Sequence, residues 1–270
     1  MAMIFEVKNG YYGYQKDKNL FEDVNIKIED GEVLTILGAN GVGKTTLLKC
    51  MMGIFKWNNG ETLIDGKNIK DIPYTEIWKQ IGYVPQAKNS AFAYTAREMI
   101  LLGRSSHLGL FKQPKEEDLA IVEEAMNIVG IKYLENKYCN EMSGGELQMV
   151  LIARALASKP KMLVMDEPES NLDFKNQLII LETIERLSKE YKISCIINTH
   201  YPEHALRVGN KALILCKDHT KFYGDAKEII NSKNMKKAFG VEVAIENIEI
   251  DKKDFTYVFP IKFVTDEMSA

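Results

Sequence analysis

The segment VLTILGANGVGKTTLLK, residues 33–49, limits the possible folds of this chain more than any other segment does. An apolar run leads into the pattern G-x-x-x-x-G-K-[ST], with Gly38, Gly43, Lys44 and Thr45 at the required positions. Glycines let backbone N–H groups wrap closely around a phosphate, and the N-terminus of the following helix adds a partial positive charge. The pattern predicts a strand, a phosphate-binding loop and a helix.

Each residue of this loop has an expected contact with a nucleoside triphosphate. Lys44 is expected to reach the β- and γ-phosphates and to act in catalysis, and the Thr45 hydroxyl is expected to bind Mg²⁺. The residues expected to bind the nucleotide form one continuous stretch: Gly38, Ala39, Asn40, Gly41, Val42, Gly43, Lys44, Thr45 and Thr46.

Short runs of β-branched and apolar residues predict the strands around this loop. Two early runs, 4–7 and 24–28, alternate in polarity as half-buried strands do. The later runs are nearly continuous, as in a parallel sheet that is covered on both faces. These runs lie at 33–37, 81–84, 162–165, 193–197 and 212–215. Asp65 and Gly66, between two further strand-like pieces, indicate a hairpin.

A helical block interrupts this α/β pattern between residues 95 and 158. Thr95 and Glu98 form a capping box at the start of AREMILL, and Gly103 is expected to end that helix. The apolar residues of EEDLAIVEEAMNIV recur at helical spacing. The sequence thus predicts an α/β chain with a helical subdomain inserted at about 88–159. Residues 241–270 are charged and weakly patterned, and we expect them to form a short C-terminal extension.

Composition argues against several classes of function. The formal net charge of −3 and the sequence pI of about 5.9 give no support to nucleic acid as a partner. The four cysteines form no CxxC pair, which argues against a zinc or redox motif and favours a reducing, cytoplasmic setting. The sequence shows no signal-like start and no long apolar run. We therefore expect a soluble protein that other chains hold at any membrane on which it works.

A second apolar run, KMLVMDEP at 161–168, ends in two carboxylates, Asp166 and Glu167. Asp166 is expected to hold Mg²⁺, and Glu167 to polarise the water that attacks the γ-phosphate. The next run, ISCIIN, leads into Thr199 and His200, at the sheet edge where α/β proteins bind ligands. A neutral His200 is expected there to hydrogen-bond the γ-phosphate or the attacking water.

The segment NEMSGGELQMVL opens a helix with two adjacent glycines, Gly144 and Gly145. Ser143 and Glu146 make a capping box, which by itself needs no glycine. Bare backbone at a helix N-terminus is instead a second anion site. Because the first loop already holds the phosphates of its own nucleotide, we expect residues 143–146 to bind the γ-phosphate held by another copy. Two chains would then face each other head to tail, with two ATP molecules between them.

Together these motifs resemble the nucleotide-binding subunit of an ABC transporter over about residues 4–225. GANGVGKTT is similar to the Walker A motif, LVMDEP to the Walker B motif and SGGEL to the signature. SNLD at 170–173 resembles the D-loop, Gln86 the Q-loop glutamine and His200 the switch histidine. The resemblance implies an ATPase domain over residues 1–240. That domain would have a P-loop NTPase (RecA-like) core, an N-terminal antiparallel β subdomain and an inserted helical subdomain.

The resemblance also implies further contacts and partners. Gln86 is expected to act in catalysis and to bind Mg²⁺, and Asp173 to contact the nucleotide. The aromatic residue that stacks on adenine falls in YYGY, where spacing favours Tyr14 over Tyr12, although aromatic clusters are also common in cores. The implied partners are a second copy of the chain, permease subunits and, indirectly, an extracytoplasmic solute-binding protein. The implied location is cytoplasmic, peripheral on the inner face of the cell membrane.

Two residues depart from the family pattern. Glu146 stands in the signature where many members have Gln, and Glu169 replaces the usual Thr after the Walker B motif. Neither change removes a catalytic group, but both add a carboxylate near the expected phosphate sites.

The helical block resembles that of importers of metal chelates, which are iron–siderophore, haem and cobalamin systems. Glu98, Ile100, Gly103 and Arg104 match that pattern. The resemblance identifies the subfamily better than the cargo, because the ATPase subunit does not touch the cargo. Two alternatives stay open: import of an oxyanion such as molybdate, and a soluble ABC ATPase of the iron–sulfur assembly type.

Overall fold

A computed structural model describes residues 3–15, 18–87, 93–108, 113–251 and 253–264. The strands of these residues are β1 Phe5–Tyr12, β2 Phe21–Ile28, β3 Val33–Gly38, β4 Asn59–Ile64, β5 Lys67–Asn68, β6 Ile81–Val84, β7 Met162–Asp166, β8 Ser194–Asn198, β9 Lys211–Leu215, β10 Lys221–Asp225, β11 Val241–Ile250 and β12 Lys253–Phe263. The α-helices are α1 Lys44–Met51, α2 Tyr74–Gln80, α3 Ala96–Leu101, α4 Glu116–Val129, α5 Gly144–Leu156, α6 Phe174–Lys189, α7 Pro202–Val208, α8 Ala226–Ile229 and α9 Ser232–Phe239.

The chain folds as two units, one comprising Met1–Ile69 and Ile197–Ala270 and the other Lys70–Ile196. The second unit is larger than the helical insertion expected at about 88–159, because it also contains β6, β7 and α6. No helix of the described residues is both long and apolar enough to cross a membrane.

The first unit begins with an antiparallel sheet in the order β2-β1-β4-β5. Phe5 of β1 lies opposite Ile28 of β2 and Ile64 of β4, so the buried side chains of three strands meet on one face. The predicted hairpin turn is confirmed: Asp65 and Gly66 join β4 to β5 with φ of 51° and 77°, as a two-residue hairpin turn requires.

The same unit contains strands in the order β10-β9-β3-β8. Every residue of β3 is buried, as its unbroken apolar sequence predicts, and β3 pairs in parallel with β9 from Leu34 to Gly38. Just past the end of β8, the Thr199 amide donates to the Ile36 carbonyl at 3.1 Å. The loop after β3 and the residues after β8 therefore lie at the same edge of the sheet.

In the region expected to form a short C-terminal extension, β11 and β12 pair as a long antiparallel hairpin. One face of the hairpin packs Val243, Ile245 and Val258 onto the core that includes α9. The other face exposes Phe259, among other apolar side chains. Apolar residues on both faces, together with a register shift after Glu242, hide the two-residue period that identifies a strand from sequence.

In the second unit, β6 and β7 pair in parallel, and α3, α4 and α5 pack against one another. The Thr95 capping box at the start of α3 is confirmed. The prediction that Gly103 ends this helix is wrong, because α3 ends at Leu101 and a 3-10 turn, Leu102–Arg104, continues it. A Cβ on Gly103 would lie 1.9 Å from the Arg154 carbonyl oxygen, so this glycine permits close packing against α5.

Arg104 makes a buried ion pair that ties together the elements around α5. Its Nε donates to Asp118 Oδ1 at 2.9 Å, and its Nη1 donates to the Ala157 carbonyl at 2.9 Å. The Lys115 amide and the Arg104 guanidinium hold the pKa of the Asp118 carboxyl below its usual range. Breaking a buried pair by removing one partner leaves an uncompensated buried charge, so both residues are needed where they lie.

Candidate functional site

The loop between β3 and α1 has the backbone shape that a phosphate-binding loop requires. Gly38, Gly41 and Gly43 have φ of 153°, 78° and 101°, all in the region that L side chains rarely adopt. Cβ atoms would also lie 2.7 Å from the Leu215 carbonyl oxygen at Gly38 and 2.8 Å from the Phe21 ring at Gly43. The glycines of the pattern are therefore required by the local backbone.

Helix α1 begins at Lys44 without a side-chain cap, and its first turn contains no acidic residue. The first N–H groups of a helix have no partner within the helix, and the helix dipole favours an anion beside them. An α1 N-terminus with neither a capping side chain nor a carboxylate in its first turn is suited to an anion from outside the chain.

Lys44 places its ammonium group inside this loop. Its Nζ donates to the carbonyls of Gly38 at 2.9 Å and Ala39 at 3.4 Å, and it lies 3.3 Å from His200 Nδ1. An ammonium held by carbonyls and an imidazole can exchange them for phosphate oxygens, which are stronger partners for a cation. The structure therefore brings His200 and Lys44 together, while the role of His200 toward a phosphate stays a prediction.

An aromatic group lies beside the same helix. The Tyr14 hydroxyl is 2.8 Å from Thr46 Oγ1, and 68% of Tyr14 is exposed. Tyr12 is half-buried and stacks on Phe55, with ring centroids 5.7 Å apart. Because Tyr12 already stacks within the protein and Tyr14 presents its ring to solvent, the geometry favours Tyr14 over Tyr12 for contact with a base, which stays a prediction.

Two carboxylates stand at the end of β7: Asp166 is the last residue of the strand, and Glu167 follows it. Glu167 has φ of 50°, a conformation that costs a non-glycine residue roughly 1–3 kcal/mol and clusters at functional sites. Both the hydroxyl and the amide of Ser170 hold it, by donating to Glu167 Oε2 at 3.3 Å and to its carbonyl at 3.2 Å. Burial, together with the charge of Asp166 and a hydrogen bond to it, raises the pKa of Tyr83 to about 12.

Helix α5 begins with the predicted capping box, which the structure confirms. Ser143 Oγ accepts from the Glu146 amide at 3.2 Å, and the Glu146 carboxylate accepts from the Ser143 amide at 2.8 Å. Close packing is a second reason for a glycine at position 145, in addition to the anion site proposed there. A Cβ there would lie 2.4 Å from the side chain of Asn176, which in turn donates to Asp173 at 3.1 Å. The signature and Asp173, the N-cap of α6, therefore lie together around Asn176.

Glu146 has a charged partner that the sequence patterns did not indicate. Lys137 Nζ lies 2.9 Å and 2.8 Å from the two carboxylate oxygens of Glu146. This bond and the Ser143 amide lower the pKa of the Glu146 carboxyl, so it is ionised at neutral pH. The pair offsets the charge that Glu146 adds to the signature. Glu169, the other departure, is 1% exposed and so does not present its carboxylate to solvent.

Gln86 follows β6 and is half-buried, and the peptide groups on either side of it are bonded to Gln148 of α5. Sequence patterns missed Gln148, Lys137 and Tyr83, because each acts through a residue remote in the chain. For Gln148, the sequence did carry one indication: it is a polar residue within the otherwise apolar helical segment LQMVLIA.

Comparisons with known proteins agree with this geometry. A family model described as ABC transporter matches residues 21–170. A molybdate import ATP-binding protein of Haemophilus influenzae is 33% identical over 261 residues, covering 97% of this chain and 98% of that protein. An iron(3+)-hydroxamate import ATP-binding protein of Bacillus subtilis is 32% identical over 229 residues, covering 85% of each.

A solved structure supports the same relationship. An inward-facing structure described as a metal-chelate type ABC transporter matches with a TM-score of 0.86 and 31% identity, covering 96% of this chain and 98% of that one. This similarity confirms the predicted fold class, a P-loop NTPase core with an antiparallel β subdomain and a helical part.

Proposed function

We propose that this chain, which belongs to the ABC transporter family and is one of its ATPase subunits, powers import of a metal chelate through a membrane permease. The observation that carries the proposal is the match along almost the whole chain to the metal-chelate type transporter structure. The iron(3+)-hydroxamate relative supports the same cargo class, of iron–siderophore, haem or cobalamin type.

ATP hydrolysis in this proposal assigns a role to each of the following residues. Lys44 and the amides of residues 38–46 bind the β- and γ-phosphates, as a glycine loop before a helix does. Glu167 accepts or steers the proton of the attacking water, and His200 orients that water or the γ-phosphate. Tyr14 stacks on the adenine.

Mg²⁺ suits the donors that this proposal assigns to it. The Thr45 hydroxyl, the Asp166 carboxylate and the Gln86 amide oxygen are hard donors, which Mg²⁺ prefers together with phosphate oxygens and water. The described residues contain no group of three or more His, Cys, Asp or Glu side chains that could hold a metal on its own. When bound, the ion neutralises charge on the β- and γ-phosphate oxygens.

A second copy of the chain completes each site in this proposal. Residues 143–146 and Asp173 bind the nucleotide held by the other copy, because helix α5 places bare backbone at its N-terminus and Asn176 links that end to Asp173. ATP then lies at the interface of a homodimer, and both copies dock on permease subunits at the inner face of the cell membrane. An extracytoplasmic solute-binding protein delivers the cargo.

The Lys137–Glu146 pair provides a prediction about this interface. In a Glu167→Gln background that retains ATP, Lys137→Met is expected to weaken ATP-dependent dimerisation about two- to fivefold, because an uncompensated carboxylate then faces the partner's γ-phosphate. Adding Glu146→Gln should restore dimerisation, since it removes that charge. Sedimentation with ATP measures the effect. Arg97→Met, which breaks the Arg97–Glu135 pair at 2.6 Å in the same unit, is the matched control. Failure of Glu146→Gln to rescue would contradict this account of the charge.

The permease is proposed to dock on residues 86–112, which begin at Gln86 and can therefore report the state of the nucleotide. Residues 88–92 and 109–112 of this segment lie outside the described residues. In the described part of this segment, Tyr94 and Leu102 are 39% and 47% exposed, so two large apolar side chains are accessible to a partner.

Leu102→Glu tests the proposed function. Uptake of a labelled iron chelate by cells that depend on this transporter should be lost, while basal ATPase activity of the purified subunit stays unchanged, because Leu102 is outside the nucleotide motifs. Tyr133→Glu, at a side chain 76% exposed in the same unit, should leave both unchanged. Transport that persists in Leu102→Glu would place the docking surface elsewhere.

The cargo has a second candidate supported by a specific observation. The molybdate relative matches more of the chain than the iron-hydroxamate relative does, 97% against 85%, at similar identity. Because the ATPase subunit does not contact the cargo, binding of ferric siderophore and of molybdate to the partner solute-binding protein decides between them. Co-purification of a multi-span permease separates both importers from a soluble iron–sulfur assembly ATPase.

A further inference from the structure

Gln148 lies in α5, five residues after the Ser143 cap, and is 1% exposed. Its Oε1 accepts from the Ala87 amide at 2.7 Å, and its Nε2 donates to the Pro85 carbonyl at 3.3 Å. One side-chain amide therefore holds the main chain on both sides of Gln86. These bonds span 61 and 63 residues of sequence and lie within the second unit.

The contact requires a side-chain amide of this length. Strand β6 ends at Val84, so residues 85–87 lie beyond the strand ladder, and their peptide groups need other partners. A buried carboxamide supplies one acceptor and two donors, whereas a carboxylate supplies acceptors alone. A methionine has no hydrogen-bond donor, and its sulfur is only a weak acceptor. Leaving either partner unsatisfied in the interior costs about 1–3 kcal/mol.

We propose that Gln148 is a positioning residue that attaches Gln86 to the helix opened by residues 143–146. The inference rests on the proposed function in which Gln86 is a Mg²⁺ ligand. Because both peptide groups flanking Gln86 are bonded to one side chain of α5, a displacement of this helix carries the backbone of Gln86 with it. Gln148 thus links the segment proposed to contact the second copy's nucleotide to the segment proposed to contact the metal.

Gln148→Met keeps the volume of the side chain and removes both bonds. The Mg²⁺ concentration for half-maximal hydrolysis is expected to rise at least about tenfold, the usual effect of losing a group that orients a metal ligand. Binding of ATP in the absence of Mg²⁺ should be unchanged, because Lys44 and the amides of the loop remain. Gln148→Glu keeps the acceptor for Ala87 but places a carboxylate oxygen against the Pro85 carbonyl, so the Mg²⁺ requirement should rise at least as much as for Gln148→Met.

A double-mutant cycle tests whether Gln148 acts through Gln86. Gln86→Ala alone should raise the Mg²⁺ requirement, and adding Gln148→Met should raise it no further. Ser158→Ala is the matched control, because it removes a hydroxyl that is buried near the other end of α5 and donates to the Ala155 carbonyl at 2.9 Å. Its effect should combine independently with that of Gln86→Ala. Thermal unfolding of every variant identifies losses that are due to instability.

The outcomes separate the inference from its premise. If Gln86→Ala leaves the Mg²⁺ requirement unchanged, the proposed role of Gln86 is wrong and the inference fails with it. If Gln86→Ala has its effect but a folded Gln148→Met or Gln148→Glu variant does not alter the requirement, the positioning role of Gln148 alone is overturned. Effects of Gln86→Ala and Gln148→Met that multiply would also overturn that role.

Discussion

Replacing Glu167 by Gln is expected to slow ATP hydrolysis by about 10²–10⁴-fold, the usual contribution of a positioned acid–base group. The substitution keeps the shape of the side chain and removes the carboxylate that accepts or steers the proton of the attacking water. Binding of ATP should be unchanged, because Lys44 and the amides of the phosphate loop belong to a different part of the chain. Single-turnover hydrolysis and equilibrium binding of ATP measure the two effects separately.

The same variant should form an ATP-dependent dimer. Bound ATP persists when hydrolysis is slow, and each γ-phosphate is then held by its own copy and by residues 143–146 of the other. Size-exclusion chromatography with ATP should show the dimer for Glu167→Gln and not for the wild type, which turns the nucleotide over. Glu124→Gln, at a surface carboxylate paired with Lys159 in the same unit, is the matched control. Near-normal turnover by Glu167→Gln would show that Glu167 is not the general base, and His200 or Gln86 would then be the candidates for that role.

Lys44→Ala is expected to weaken ATP binding at least about tenfold and to abolish the ATP-dependent dimer. The ammonium group lies inside the loop at 2.9 Å from the Gly38 carbonyl, so it meets a bound phosphate without moving from solvent. Loss of a buried, charge-assisted contact costs about 1.5–3 kcal/mol or more, and 1.4 kcal/mol corresponds to a factor of ten. Calorimetric titration with ATP measures the change.

Lys49→Ala provides the control for Lys44→Ala. Lys49 belongs to the same helix, where its Nζ lies 5.4 Å from the centroid of the Phe55 ring and outside the phosphate loop. Its replacement should leave ATP affinity within about twofold, because an exposed or partly exposed cation–π contact contributes only ~0.5–1 kcal/mol and does not involve the phosphates. Equal losses of affinity in both variants would assign the effect to damage of α1 instead of to the phosphate contact.

The features that the sequence predicted well are those determined by residues near each other in the chain. The capping boxes at Thr95 and Ser143, the Asp65 turn and the glycine loop before Lys44 depend on short spacings, and the structure has each of them. The strands buried on both faces were also predicted, because their unbroken apolar runs leave few alternatives.

The features that the sequence did not predict depend on contacts between distant residues. From the sequence, Gly103 was interpreted as a helix stop, whereas in the structure it allows the Arg154 carbonyl to pack against it. Gly145 was interpreted only as part of an anion site, whereas in the structure the Asn176 side chain also packs beside it. In the sequence, Gln148 is only a polar residue in an apolar helix. The structure shows its role, because its Oε1 accepts from the Ala87 amide at 2.7 Å. The hairpin at 241–263 was not predicted, because one of its apolar faces packs on the core and the other stays exposed.

The claim that each nucleotide site is completed by a second copy is tested most directly by mixing two inactive chains. One chain carries Lys44→Ala and the other carries Ser143→Arg. If Ser143 acts on the nucleotide of the other copy, the mixed dimer has one site with both lesions and one with neither, and ATPase activity should partly recover on mixing. If Ser143 serves its own nucleotide, every site carries one lesion, and a mixture as inactive as both parents would contradict the account.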